Sequence, residues 1–127
     1  MQPSTSFNVE LVQIVLAALK GKRFILHDEK ALQQEIHLVL LNHLPALSIH
    51  REYVLDEHSI IDFLIGGSLG IEVKIKGGKR DLYRQCERYC GFDQVKQLLL
   101  ITNLSMGVPE QINNKDCYVY KLGTSWL

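Results

Sequence analysis

The most constraining feature of this sequence is a change from helical to alternating patterning at Ala46. From there, apolar and polar residues alternate with period two, and β-branched and aromatic residues are frequent, as is typical of β-strands. The segment Gly66-Gly67-Ser68 interrupts the alternation in the way that a tight turn does. We predict three strands, over residues 47–54, 59–65 and 69–76. The second and third form a hairpin around the glycine pair.

Helical spacing of apolar residues flanks the predicted strands on both sides. A first amphipathic helix is predicted over residues 8–20, where we expect it to serve in packing or self-association. Asp28 is a suitable N-cap for a second helix that extends to about Asn42 and stops before Pro45. The remaining elements are a third helix over residues 79–90 and two strands over 97–102 and 117–122.

The resulting order, α-α-β-β-β-α-β-β, predicts an α/β or α+β fold with a mixed central sheet flanked by helices. The 127 residues are about enough for one domain, with its core over about 28–122. A hydrophobic content of 46% and a charged content of 22% suit a packed core and exclude disorder. We therefore interpret residues 1–127 as a single domain.

Charge and hydropathy exclude further classes of function. Lys plus Arg and Asp plus Glu are equal at 14 each, so any site for a polyanion must be local. The longest apolar run, residues 14–19, is far shorter than the roughly 20 residues that a membrane-spanning helix needs. The N-terminus lacks the positive charge of a signal segment. We expect a cytoplasmic protein, of prokaryotic or phage type, without a membrane partner.

The three cysteines, Cys86, Cys90 and Cys117, include no Cys-x-x-Cys pair. This spacing argues against a disulfide scaffold and against a four-cysteine zinc or iron–sulfur site. We interpret them as small buried thiols in a reducing compartment. No metal-ligand spacing stands out among the five histidines, which we expect to be structural or exposed: His27, His37, His43, His50 and His58.

Acidic residues break the apolar pattern of the predicted strands. Asp62 lies inside an apolar run over residues 60–65, which predicts a strand buried on both faces. Burying a carboxylate without a partner costs several kcal/mol, so Asp62 must have one. In the next strand, Glu72 and Lys74 are two residues apart, which directs both side chains to one face.

The length of the hairpin loop decides whether the two acids meet. In an odd-numbered loop centred on Gly67, positions whose numbers sum to 134 face one another, and Asp62 lies opposite Glu72, about 5 Å away. Like charges at this distance raise each other's pKa unless a cation lies between them, and carboxylate oxygens suit magnesium. A two-residue loop would instead turn the two side chains to opposite faces.

Glu35 is a third acid in an unexpected place. It lies within the apolar stripe of the second helix, one turn from Leu32 and Val39. Together with Asp62 and Glu72 it is a candidate outer metal ligand. The alternative is a glutamate at the edge of the stripe that reaches solvent.

Asp62, nine intervening residues and the Glu-x-Lys motif at 72–74 together resemble the signature of the PD-(D/E)XK nuclease superfamily. The resemblance implies a restriction-endonuclease-like core of order α-β-β-β-α-β and covers residues 28–103. Ile61 stands where the signature has proline, which is common variation in the superfamily.

Two further features extend the resemblance. Glu35 is similar to the glutamate on the first core helix of the superfamily. Gln85 and Tyr89, on the third predicted helix, are similar to the Gln-x-x-x-Tyr motif of the RecB-like branch. Some RecB-like members carry a four-cysteine iron–sulfur cluster, but three cysteines predict none here.

The resemblance implies a magnesium-dependent deoxyribonuclease, in which manganese can replace magnesium. Asp62, Glu72 and Glu35 would hold the metal, which neutralises the scissile phosphate and activates the attacking water. Lys74 would position or deprotonate this water, or stabilise the charge that develops on the phosphate. The residues expected to bind DNA are Gln85, Tyr89, Lys76, Lys79, Arg84 and Arg88.

Two other classes of function remain open from the sequence. One is a catalytically silent nucleic-acid-binding or assembly module with the same fold. The other is an interaction protein in which Asp62 and Glu72 merely pair with Lys74 and Lys76. Because the chain has no room for a separate base-reading domain, we expect specificity to come from DNA structure, partner proteins or a homodimer or higher homo-oligomer. The pattern does not distinguish endonuclease from exonuclease action.

Overall fold

The computed structural model of the protein describes residues 3–123, with side chains described from residue 11 onward. Two helices come first, α1 (Pro3–Leu19) and α2 (Glu29–His43), and a third, α3 (Lys79–Tyr89), lies in the second half of the chain. The strands within this range are β1 (Ile49–Asp56), β2 (Ser59–Ile65), β3 (Leu69–Lys74), β4 (Gln97–Thr102), β5 (Gln111–Ile112) and β6 (Lys115–Lys121).

These strands form one open, mixed sheet in the order β1-β2-β3-β4-β6-β5. The first three strands are antiparallel neighbours, β4 is parallel to both β3 and β6, and β5 is antiparallel to β6. The mixed sheet flanked by helices that the sequence predicts is therefore confirmed.

The helices cover the two faces of the sheet. Buried residues of α1 and α2 pack with Ile71 and Val73 of β3 on one face. On the other face, Leu82 and Cys86 of α3 pack with Leu98 of β4. Alternation along β3 thus leaves its even-numbered residues on the α3 side. None of the helices described within residues 3–123 is long and apolar enough to cross a membrane.

Asp28 caps the N-terminus of α2, as the sequence predicts. Its carboxylate accepts hydrogen bonds from the backbone amides of Lys30, at 3.1 Å, and Ala31, at 3.4 Å. These bonds satisfy amides that have no partner within the helix. The first helical residue, Glu29, reaches the end of β3, where its carboxylate accepts from the backbone amide of Ile75 at 3.1 Å. The N-terminus of α2 is thereby fixed beside the end of β3.

Several element boundaries differ from the predicted ones. The backbone of α1 begins at Pro3 rather than at residue 8, and β1 and β6 occupy Ile49–Asp56 and Lys115–Lys121 rather than 47–54 and 117–122. β3 ends at Lys74 and not at residue 76, because the amide of Ile75 bonds to a helix side chain rather than to a strand. The two-residue strand β5 was not predicted, since so short a segment has no detectable period.

β2 is distorted at Asp62. Ile61 packs with the buried residues on the α3 side, whereas Phe63 packs with those on the α1 and α2 side. Alternate residues of a regular strand share one face, so the strand changes sides between these two positions. In the facing strand, Glu52 has a φ of 54°, which is left-handed backbone. The expectation of burial on both faces fails at Ile60, which is 53% exposed.

Candidate functional site

The β2–β3 hairpin has the register that an odd-numbered loop requires. Phe63 pairs with Ile71 and Ile65 pairs with Leu69, so paired positions sum to 134. Gly66 and the residue after it have φ of +61° and +68°, a conformation that favours glycine. Of the two loop lengths that the sequence left open, the protein has the odd-numbered one.

Continuing this register by one pair places Asp62 opposite Glu72. The described ladder stops before that pair, at Phe63 and Ile71. Beyond that point, the backbone amide of Val73 donates a hydrogen bond to Oδ2 of Asp62 at 2.7 Å. This side-chain oxygen replaces the backbone carbonyl that a regular strand would provide. This bond fixes the Asp62 carboxylate against β3.

Glu72 is a buried carboxyl group beside this anchored carboxylate. It is 5% exposed, and its Oε1 is buried without a hydrogen-bond partner. Burial, followed by the charge of Asp62, raises the pKa of Glu72 to about 9. Burial also raises the pKa of Asp62, against the opposing effect of the Val73 amide. Near neutral pH and without a bound cation, we infer that Glu72 holds a proton, which removes one of the two negative charges.

Glu29 and Lys74 lie next to this pair. The Nζ of Lys74 lies 4.0 Å from the Oε2 of Glu29, and both side chains are about one-third exposed, at 35% and 28%. The negative charge of Glu29 contributes to the raised pKa of Asp62. The structure thus brings a third acid, Glu29, from the N-terminus of α2 to the end of β3. The sequence pattern did not place Glu29 among the candidate site residues.

Glu35 is not joined to this group. No hydrogen bond or ion pair within residues 11–123 links it to Asp62 or Glu72, and its Oε1 is buried without a partner. It lies six residues after Glu29, which is about 9 Å further along the helix axis. Within the described part of the chain, no three His, Cys, Asp or Glu side chains are grouped as a metal site. A ligand role for Glu35 stays a prediction.

Gln85 and Tyr89 bond to each other and to β2. The Tyr89 hydroxyl donates to the backbone carbonyl of Ile60 at 2.9 Å and accepts from Nε2 of Gln85 at 3.1 Å. The ring of Tyr89 is only 1% exposed. The proton of its hydroxyl is therefore already used in a hydrogen bond within the protein. In the structure the pair anchors α3 over the strand that carries Asp62, and the expected phosphate contact by Tyr89 stays a prediction.

Arg88 also braces α3 against β2. Its Nε donates to the hydroxyl of Ser59 at 3.0 Å, and its guanidinium lies 5.3 Å from the ring centre of Tyr89. By contrast, other cations close to the end of β3 are exposed and take part in no ion pair within the described residues. They are Lys76, Lys79, Arg80 and Arg84.

The cysteines and histidines lie where the sequence placed them. All three cysteines are buried free thiols. The His37 ring packs at 5.8 Å from the ring of Phe63, while the remaining four histidines are exposed.

Comparison of the chain with family models, with curated proteins and with solved structures gives no significant match. Function is therefore inferred from the residues described above.

Proposed function

We propose that this chain is a metal-dependent nuclease that hydrolyses phosphodiester bonds of DNA, built on a restriction-endonuclease-like core. The observation that supports this most directly is the buried Glu72 carboxyl group, whose Oε1 has no hydrogen-bond partner, next to the anchored carboxylate of Asp62. Two buried acids side by side are costly unless a proton or a cation neutralises them. Placing the two acids side by side costs the fold stability, so we infer a functional reason for the pair.

The donor set suits magnesium. Carboxylate oxygens are hard ligands, and Mg²⁺ is usually held by one or two carboxylates together with waters and substrate phosphate. Asp62 and Glu72 would hold the ion, and Glu29 is a further acid whose charge acts on Asp62. A bound ion would neutralise the scissile phosphate and lower the pKa of the attacking water.

Lys74 supplies the cation of the proposed site. It follows Glu72 by two residues on the same strand, and its ammonium lies 4.0 Å from Oε2 of Glu29. Glu29 restrains the ammonium at the end of β3, where it can hold a water or stabilise charge on the phosphate. An ammonium confined in this way loses less freedom on binding substrate than a free surface lysine does.

DNA would approach over the end of β3. Lys76, Lys79, Arg80 and Arg84 are exposed there, and the overall charge of the protein is zero. Phosphate binding would thus come from this local concentration of cations. Self-association and the endonuclease or exonuclease mode stay predictions.

The test is cleavage of linear, circular, single-stranded and branched DNA with magnesium, manganese or EDTA. We expect wild-type protein to cut only with a divalent cation, and Asp62→Asn and Glu72→Gln to lose at least a hundredfold in rate. Glu57→Gln is the matched control, because Glu57 is an acid in the turn between β1 and β2 whose side chain is 88% exposed. It should cut at the wild-type rate.

Equal cutting by all four proteins would mean that a contaminant or another site is responsible. Tight, cation-independent DNA binding without cutting would instead indicate the catalytically silent module.

A further inference from the structure

A second cluster of reactive side chains lies on the α3 side of the sheet. Cys90, the C-cap residue of α3, and Cys117 of β6 approach to 3.7 Å between their sulfur atoms. Both are free thiols. Cys86 lies one helical turn before Cys90 and is buried in the same cluster. The proposed nuclease chemistry uses none of the three.

We propose that Cys90 and Cys117 form a redox-active thiol pair, which a small neutral hydroperoxide oxidises to an intramolecular disulfide. A disulfide needs a sulfur–sulfur distance of about 2.05 Å, so the sulfurs must approach by only about 1.6 Å more. The residue that has to move lies where helical hydrogen bonding ends, since α3 stops at Tyr89 and Gly91 follows. Such an end moves more easily than the middle of a helix.

Cys117 is the more exposed residue of the pair. Cys90 is fully buried, but Cys117 is 8% exposed and lines an open cavity of about 360 Å³ together with Glu110, Asp116 and Tyr118. The thiol of Cys90 is hydrogen-bonded to Cys117, which lowers the pKa of Cys117. Cys117 is therefore the better nucleophile of the two.

The chemistry proceeds in two balanced steps. The Cys117 thiolate attacks one oxygen of hydrogen peroxide, the O–O bond breaks, and a sulfenic acid forms while hydroxide leaves and takes up a proton as water. The Cys90 sulfur then attacks the sulfenic sulfur, losing its proton, and the sulfenic oxygen leaves as a second water. Two thiols are oxidised to one disulfide, and one peroxide is reduced to two waters.

The lining of the cavity favours a neutral oxidant. Two of its four lining residues, Glu110 and Asp116, are acidic. Glutathione disulfide carries net negative charge and is large, so it should enter poorly. Hydrogen peroxide is small and uncharged. We expect hydrogen peroxide to oxidise the pair at least ten times faster than glutathione disulfide at equal concentration.

Trypsin separates the three cysteines, which makes the test direct. Cleavage after lysine and arginine yields peptides 85–88, 89–96 and 116–121, with one cysteine in each. The reduced, folded full chain is treated with hydrogen peroxide, remaining thiols are blocked with N-ethylmaleimide, and the digest is analysed without reductant. We expect a 89–96 to 116–121 link that dithiothreitol removes, in the wild type and in Cys86→Ala.

Cys117→Ala should show no such link, and neither should Cys90→Ala. A predominant link to peptide 85–88, a link only between two chains, or no link at peroxide concentrations that oxidise free glutathione would each overturn the proposal. A glutathione disulfide reaction as fast as that of peroxide would overturn the selectivity. All these readouts are masses of peptides, so they stand or fall independently of nuclease activity.

Discussion

The Oδ2 of Asp62 accepts a hydrogen bond from the backbone amide of Val73 at 2.7 Å, one residue beyond the acid that faces it across the hairpin. The same carboxylate therefore completes the sheet and places a negative charge beside Glu72. The two roles rest on different properties of the side chain, an acceptor oxygen and a charge. Substitutions can remove one without the other.

Asp62→Asn and Asp62→Ala should have opposite effects on stability. Asparagine keeps an acceptor for the Val73 amide but removes the charge beside Glu72, so we expect the free energy of unfolding to rise by about 1 kcal/mol. Alanine leaves the buried amide without a partner, which costs about 1–3 kcal/mol. Urea denaturation at pH 7 without divalent cations measures both. If the alanine variant is the more stable one, the hydrogen bond does not contribute as described.

Glu72 should make the metal-free protein lose stability as pH rises. Its pKa in the folded protein, about 9, lies above its ordinary value of 4.5, so the folded state holds a proton that the unfolded state releases. The stabilisation is complete below pH 4.5 and is lost progressively up to about pH 9, by at most about 1.4 kcal/mol per pH unit. Glu72→Gln should flatten this dependence, whereas Glu57→Gln should not. Parallel curves for wild type and Glu72→Gln would contradict the raised pKa.

Magnesium should stabilise the folded protein more at high pH than at low pH. The ion competes with the proton that the acid pair holds, so binding tightens as that proton is lost. Magnesium at a hundred times its Kd would add about 2.7 kcal/mol. We expect the magnesium-induced rise in Tm to be larger at pH 8.5 than at pH 6, and to vanish in Glu72→Gln. A rise of equal size at both pH values would show that magnesium binds elsewhere.

The hairpin could be predicted from the sequence because its determinants are local. The period of two fixes which residues share a face, and the length of the loop Gly66-Gly67-Ser68 fixes the register. The change of sheet face between Ile61 and Phe63 could not be predicted from the period or from the loop length. It accompanies a φ of 54° at Glu52 in the neighbouring strand, and glutamate does not favour that conformation.

The choice between Glu29 and Glu35 shows a second limit. An apolar stripe indicates which side of a helix faces the sheet, but not which helical turn lies beside the end of a given strand. That position follows from how α2 and β3 pack, and the Ile75 amide contact with Glu29 reveals it. The buried role of Tyr89 was likewise decided by the packing of α3 on β2.

Glu29→Gln and Glu35→Gln should separate the two candidates on α2. Glutamine at 29 keeps an acceptor for the Ile75 amide but removes the charge next to Lys74 and Asp62, so we expect cleavage to slow by tenfold or more. Glu35→Gln should change the rate by less than twofold, because the described residues show no hydrogen bond or ion pair from Glu35 to Lys74 or Asp62. Both variants are assayed under subsaturating DNA with magnesium. The reverse ranking would support Glu35 as the ligand that the sequence resemblance implies.

Tyr89→Phe and Gln85→Ala should show that this pair positions α3 rather than gripping phosphate directly. Removing the Tyr89 hydroxyl leaves the carbonyl of Ile60 without its donor, so we expect a loss of about 1–3 kcal/mol in the free energy of unfolding. Gln85→Ala removes only the outer bond and should cost less.

Their combination provides the sharper measurement. Once the Tyr89 hydroxyl is gone, Gln85 has lost its partner, so the double variant should be little worse than Tyr89→Phe alone in both stability and cleavage rate. We expect Tyr89→Phe to slow cleavage ten- to a hundredfold, because it frees α3 from the strand that holds Asp62. Independent, additive losses in DNA affinity at unchanged stability would instead mean that both side chains contact the DNA.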